Sequence, residues 1–196
     1  MSETLTADEK KTLLRLARQS LENAVRGMDL PVLEEARMTH LLRADGAAFV
    51  TLTIQGQLRG CVGALQPYQP LAADVREHTV AAALQDYRFP PVEIGELTRI
   101  HIEISRLTIP QPLAYRDADD LLARLRPGID GVILSDGSRR STFLPQVWEK
   151  IPEPAAFLNQ LCAKMGAAPN LWRVKHLDVQ IYQVEEFEET NRQAAN

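Results

Sequence analysis

The chain is expected to adopt an α+β fold, a largely antiparallel sheet flanked by helices. Three observations predict this. Residues 48–64 alternate apolar and polar side chains on either side of a glycine turn, which is the pattern of a hairpin. Further alternating segments are separated by segments of helical period, so hairpins and helix-linked strands occur together. The composition, 45% hydrophobic and 24% charged over 196 residues, is that of an ordinary globular chain and excludes a disordered one. That length suits one domain, residues 1–196, or two small lobes.

The elements follow in order. Thr6-Ala7-Asp8-Glu9 reads as a capping box. Leu13, Leu16, Ala17, Leu21 and Ala24 then recur at helical spacing, and Gly27 suits the stop. Pro31 is expected to start a second, shorter helix running to about Leu42. Ala48 to Ile54 is a strand with Val50, Leu52 and Ile54 on one face, and Leu58 to Ala64 returns as its partner. Placing Leu58 and Val62 on that same buried face pairs Ile54 with Leu58 and implies a three-residue loop. The Gln55-Gly56 dipeptide instead favours a two-residue turn. Face matching is preferred, because a one-residue slip would expose the whole apolar set.

Leu71 to Asp86 is helical, with Leu71, Val75, His78 and Ala82 on one stripe. Its alanines allow close approach to a sheet, and Phe89-Pro90-Pro91 breaks it. Thr98 to Leu107 alternates again, Ile100, Ile102 and Ile104 inward against His101, Glu103 and Ser105. Pro110 and Pro112 mark a boundary between lobes near residues 108–116. Asp117 caps a short helix to Leu125, and Gly131 to Leu134 pairs with Ser141 to Leu144 around Asp136-Gly137. Pro154 to Met165 is a helix closed by Gly166. Leu177, Val179 and Ile181 form a last strand. Val184 and Phe187 fall out of its phase, which predicts a bulge or an end. The acidic run Glu185 to Glu189 and the polar tail to Asn196 are expected to be solvated and frayed.

Charge and cysteine usage narrow the function. Twenty-two basic against 26 acidic residues give a net charge of −4, a poor basis for neutralising nucleic-acid phosphates. No uninterrupted apolar run is long enough to span a bilayer. Met1 to Thr4 lacks a basic n-region and an apolar h-region, so a cytoplasmic location with free thiols is expected. Cys61 and Cys162 lie far apart, and neither cysteine nor histidine shows metal-ligand spacing. No metal or cofactor is therefore expected.

Arg59-Gly60-Cys61-Val62-Gly63 is the sharpest local feature. Arg59 and Cys61, two apart on a strand, share a face, with Thr53 and Thr51 as cross-strand neighbours in the preferred register. Gly60 and Gly63 remove side chains that would screen the thiol and would let a ligand approach. A neighbouring guanidinium favours thiolate over thiol. The same residues also suit a small buried cysteine with glycines serving a bulge, and that alternative stays open. Glu103 and His101 share a strand face and could do acid–base work. Arg88, Arg139 and Arg140 lie at loop or hairpin ends, where arginine suits an anionic small molecule.

Leu58-Arg59-Gly60-Cys61-Val62-Gly63 resembles the Leu-Arg-Gly-Cys-Ile-Gly signature of the AmmeMemoRadiSam system protein A family, the AMMECR domain. Further segments match in order: Arg88-Phe89-Pro90-Pro91, Glu96-Leu97, Ile102-Glu103-Ile104-Ser105, Gly128 to Gly131, Ser141 to Val147, and Leu161 to Lys164. Two departures are Ala64, where the signature continues with threonine, and Pro152, which shortens the helix after Val147. The resemblance implies two unequal lobes with a cleft between them. It also implies encoding beside a Memo-like protein and a radical-SAM protein. It supplies no reaction, so the site must be argued from its own chemistry.

Two functions from different classes compete. In the first the chain is a thiol-dependent enzyme or enzyme component acting on a small anionic substrate. Cys61 is then the nucleophile or acid–base thiol, Arg59 stabilises anionic charge, and Glu103 or a nearby histidine orients the site. Gly60, Gly63, Thr51, Arg88 and Ser141 are the expected ligand-binding residues. In the second it is a non-catalytic module that holds a ligand or a protein in the same place. A purely structural adaptor is a third reading, opposed by the polar face of Thr51, Arg59 and Cys61.

Overall fold

The computed structural model describes residues 4–190. The chain forms two compact units. It leaves the first after Leu107, builds the second from Thr108 to Val184, and returns to the first at Glu185. Helices and antiparallel sheets make up both units, an α+β arrangement.

In the first unit, helix α1 (Ala7–Val25) begins on a capping box. Thr6 Oγ1 accepts the Glu9 N–H at 3.3 Å, and the Glu9 carboxylate accepts the Thr6 N–H at 2.7 Å. Leu13, Leu16, Ala17 and Leu21 are buried, and Gly27 closes the end with a φ of 67°. The helix expected from Pro31 to about Leu42 does not form. In its place stand a single 3₁₀ turn (Glu35–Arg37) and helix α2 (His40–Arg43). The segment's apolar residues bury only in part: Val32 is 84% exposed, Leu33, Met38 and Leu41 are half-buried against the core, and Leu42 is buried.

Strands β1 (Asp45–Ile54) and β2 (Gln57–Gly63) form the hairpin. The loop has two residues, not three. Gln55 at φ 52° and Gly56 at φ 77° provide the two positive angles of a primed turn. Ile54 therefore pairs with Gln57, and Thr53 with Leu58. The register then slips by one, leaving Arg59 unpaired, and Leu52–Gly60, Thr51–Cys61 and Val50–Val62 stand opposite one another. The turn preference and the face match were set against each other in the sequence. A β-bulge at Arg59 joins the two-residue turn to the expected register from Gly60 onward, but the expected Ile54–Leu58 pair does not form: Leu58 stands opposite Thr53, off the buried face, at 43% exposure.

A short strand β3 (Gln69–Pro70) leads into helix α3 (Leu71–Leu84), and strand β4 (Ile100–Leu107) pairs along the other side of β1. Val50, Leu52, Ile102 and Ile104 are fully buried on the face that α1 and α3 cover. Helix α3 lies so close that a Cβ on Gly60 would overlap the Ala82 carbonyl oxygen.

The second unit carries strand β5 (Gln111–Pro112), helix α4 (Ala118–Arg124), the hairpin β6 (Gly131–Asp136) and β7 (Arg139–Phe143), helices α5 (Pro154–Lys164) and α6 (Leu171–Val174), and strand β8 (Asp178–Tyr182). Its sheet runs β5-β8-β6-β7. Asp117 caps α4 by accepting the Asp120 N–H at 2.9 Å. Phe157, stacked on Trp148 at 3.7 Å, joins Leu158 and Leu161 in a separate core.

The phase break after Ile181 is where the chain changes sheets. Strand β9 (Val184–Glu188) returns to the first unit beside β4, completing the order β2-β1-β4-β9. The acidic run is consequently held in a strand: Glu186 and Glu188 stay exposed, but Glu185 and Glu189 are tied down. Glu185 meets Lys10 at 2.8 Å and Arg106 at 3.3 Å, and accepts the Leu5 N–H at 3.2 Å. Glu189 takes a two-point contact from Arg18, whose buried guanidinium also donates to the Leu97 and Ile100 carbonyls. The cations come from α1 and β4, far away in sequence. The tail at residues 191–196 lies outside the described residues.

Leu52 is fully buried and its neighbour across the turn, Leu58, is not. Leu52→Ala should destabilise the chain by about 2–5 kcal/mol in urea denaturation. Leu58→Ala should stay within about 0.5 kcal/mol of the parent. Equal losses would contradict the bulged register.

Candidate functional site

The face of the first sheet opposite α3 carries most of the polar residues singled out in the sequence. Cross-strand pairing lines up Cys61, Thr51 and Glu103 in one row across β2, β1 and β4. The next row pairs Thr53 with His101. Thr51 Oγ1 donates to Cys61 Sγ at 3.3 Å. His101 Nε2 lies 2.9 Å from Glu188 Oε2 on β9. Burial, with Glu186 and Glu188 adding to it, pushes the Glu103 carboxyl above the ordinary carboxylate range, and His101 opposes the shift. Thr53, His101, Glu103 and Glu188 help line a cavity of about 410 Å³ in this unit.

Arg59 takes a different path. Displaced by the bulge, it makes a fork-to-fork pair with Glu96, Nε to Oε1 at 2.8 Å and Nη2 to Oε2 at 2.9 Å. It also donates to the Pro90 and Pro91 carbonyls at 2.9 and 3.2 Å. The bond to Glu96 raises Arg59 further above its ordinary value and lowers Glu96. Its positive charge is thus matched by a carboxylate, and it holds the loop that follows α3.

Arg88 comes to Cys61 instead. Its Nη2 donates to the Cys61 carbonyl at 3.0 Å. Asp86 Oδ2 accepts the Cys61 N–H at 2.9 Å, and the same carboxylate receives Arg88 Nε at 2.9 Å and Nη2 at 2.6 Å. These bonds, Arg88 first, hold the buried Asp86 well below the ordinary carboxylate range.

The two glycines have packing partners of their own. Gly60 faces α3. A Cβ on Gly63 would strike the Ala48 carbonyl oxygen and Phe49. Ser141 belongs to the second unit, where its hydroxyl is buried and donates to the Leu161 carbonyl at 2.7 Å. Cys162 is buried among the second unit's core, and burial pushes its thiol up. Both thiols are free. His78 is buried with its Nδ1 3.1 Å from Asp74. Among the described residues, no three of the histidines, cysteines and carboxylates are grouped to hold a metal ion, and no helix is long and apolar enough to cross a membrane.

Asp86 and Glu96 were missed in the sequence. The available signal was indirect: two arginines beside a half-buried strand need nearby carboxylates, and the segment between the α3 helix and the β4 strand supplies both.

The α+β fold and the strand carrying Arg59-Gly60-Cys61-Val62-Gly63 are those the resemblance implies for an AMMECR domain, and comparison with known proteins agrees. The AMMECR1 family model matches residues 14–187, so the chain belongs to that family. It is 36% identical to a protein of Methanothermobacter thermautotrophicus, covering 94% of this chain and 96% of that one. It is 35% identical to a protein of Thermofilum pendens, covering 95% and 92%. The crystal structure of an uncharacterized protein from Pyrococcus horikoshii superposes with a TM-score of 0.81 at 28% identity, covering 96% of this chain and 95% of that one.

Glu103 generates a prediction. Its carboxyl titrates higher in the fold than in the unfolded chain, so the fold penalises the charged form. Stability from this group falls as pH rises through the shifted range. Glu103→Gln should therefore melt at least as high as the parent at neutral pH, with the difference vanishing below the ordinary carboxyl range. A lower melting temperature at neutral pH would mean that the Glu103 charge is satisfied by the fold.

Proposed function

We propose that this chain is a thiol-dependent enzyme or enzyme component with Cys61 as its working group. The observation that carries the reading is the 3.3 Å contact between Thr51 Oγ1 and Cys61 Sγ, in a row that continues to Glu103. In this reading Cys61 is the nucleophile or acid–base thiol and Thr51 orients the sulfur. Glu103, whose carboxyl is pushed up by burial, supplies or receives a proton. Arg59 has no direct part, because it is turned onto Glu96 and the Pro90 and Pro91 carbonyls with its side chain only 13% exposed. The remaining cation for a small anionic substrate is Arg88, whose side chain is 42% exposed. The rest of the face is acidic, so the substrate's anionic group belongs at the Arg88 end. The family resemblance adds a Memo-like protein and a radical-SAM protein as partners; the net charge of −4 and the free thiols support a cytoplasmic setting without nucleic acid.

A non-catalytic ligand- or protein-binding module is the second reading. It is favoured by one observation: both arginines near Cys61 are already paired, which makes a rigid surface with little left to react.

Brief treatment of the native chain with iodoacetamide, followed by peptide mapping, separates the two. The enzyme reading expects Cys61 to be alkylated well ahead of buried Cys162, and Cys61→Ser to abolish any activity reconstituted with the partners. If Cys61 is inert in the native chain and Cys61→Ser retains full partner or ligand affinity, the thiol has a packing role and the module reading stands.

A further inference from the structure

We infer that Asp86 and Arg88 form a backbone clamp that positions Cys61, and that Arg88, not Arg59, is the cation beside which the Cys61 sulfur works. The second half rests on the reading of Cys61 as the working thiol; the clamp itself does not.

Strand β2 is the outer strand of its sheet. Its alternate N–H and C=O groups point away from β1 and have no strand to pair with. Such groups are ordinarily left to water or to another chain. At Cys61 both are taken. The Asp86 carboxylate accepts the N–H at 2.9 Å, and the Arg88 guanidinium donates to the C=O at 3.0 Å. An acceptor and a donor at one residue are what a neighbouring strand would offer, and here an ion pair offers them.

The clamp is closed on itself. Arg88 Nε and Nη2 bond the two Asp86 oxygens at 2.9 and 2.6 Å, and the Arg88 backbone N–H reaches Oδ1 at 3.2 Å. Both charges are therefore held in place by the chain just past α3. With the Cys61 peptide groups fixed on one side and the Thr51 hydroxyl on the other, the direction of the thiol is set by three partners on two elements.

The charge argument has the same geometry. Arg88 is bonded, at 3.0 Å, to the carbonyl of the residue that carries the thiol. Arg59 is turned away by the bulge onto Glu96 and two proline carbonyls. The charged and titratable groups facing Cys61 are therefore Asp86 and Arg88 from the α3 end. Tyr87 lies between them in sequence, and Glu103 stands beyond Thr51 on β4. The Arg59–Glu96 pair sits two residues upstream.

The test uses the full chain and its Arg88→Ala, Arg88→Lys, Asp86→Asn and Arg59→Ala variants, each checked for native circular dichroism. Iodoacetamide alkylation of Cys61 is followed by mass spectrometry from neutral to alkaline pH, and exchange of the Cys61 amide by NMR. Arg88→Ala should move the midpoint of the alkylation profile upward. It should slow the neutral-pH rate by less than about tenfold, since a higher-pKa thiolate is intrinsically more nucleophilic. Arg88→Lys keeps the charge and should recover most of the midpoint. Arg59→Ala should leave it unmoved. Asp86→Asn should speed Cys61 amide exchange, because a neutral acceptor holds the N–H less strongly. A midpoint indifferent to Arg88→Ala, or moved equally by Arg59→Ala, overturns the charge assignment. Unchanged amide exchange in Asp86→Asn overturns the clamp. If Cys61 resists alkylation at every pH in the parent chain, the thiol-enzyme reading and the charge assignment fail together, while the exchange measurement still decides the clamp.

Discussion

Much of the first unit depends on one close approach, the packing of α3 onto β2 at Gly60. The helix backbone at Ala82 leaves no space for a side chain there, so this residue must face the helix. Strand alternation then sends its neighbour Cys61 to the opposite face, toward Thr51. The same contact determines where α3 ends relative to β2. Asp86, two residues beyond the helix, arrives at the Cys61 amide, and Pro90 and Pro91 arrive at Arg59. The Arg-Gly-Cys segment is thus a packing device and a presenting device at once: glycine admits the helix, and the helix places the groups that hold the cysteine.

Charge is used locally and in pairs. Two acidic sites, Asp86 and Glu96, match the two arginines around β2, and Glu185 and Glu189 match Lys10, Arg106 and Arg18 at the other edge of the sheet. Burying one partner of such a pair alone would be costly, so these contacts specify which segments meet more than they add net stability. Glu103 is the exception on this face. Burial and two further carboxylates disfavour its charge, with only His101 opposing them. A carboxyl whose charge the fold disfavours, amid otherwise satisfied charges, is where a functional role is economically explained.

Much of the fold was legible because it is written in local pattern. The Thr6–Glu9 cap, the alternation of Ile100, Ile102 and Ile104, and the Gly137 and Gly166 turns each need only a few neighbouring residues to be read. The hairpin register was half legible. Face matching correctly paired Cys61 with Thr51, while the turn obeyed the local preference of Gln55-Gly56, and nothing local announced that a bulge would reconcile them. Strand β9 was hidden for a different reason. Its partners Lys10, Arg18 and β4 lie about half the chain or more away, so its acidic residues look solvated until the fold brings cations to them. The candidate site divides in the same way. The row of Cys61, Thr51 and Glu103 follows from strand periodicity, whereas the pairing of Arg59 with Glu96 and of Arg88 with Asp86 is tertiary.

The spacing of that row constrains any chemistry proposed for it. Adjacent strands lie about 4.8 Å apart, so the strands bearing Cys61 and Glu103 are separated by nearly 10 Å. A carboxyl that far away cannot take a proton directly from the sulfur, and Thr51 occupies the strand between them. Proton transfer between the two therefore requires a substrate, or a water, lying over Thr51 and reaching both ends. The Thr51 hydroxyl, already donating to Sγ, keeps its lone pairs free to accept a bond from such a molecule. A thiol at one end, a carboxyl whose charge the fold disfavours at the other and a hydroxyl between them form a linear site. In the thiol-enzyme reading the reacting bond sits over β2, and the proton returns over β4.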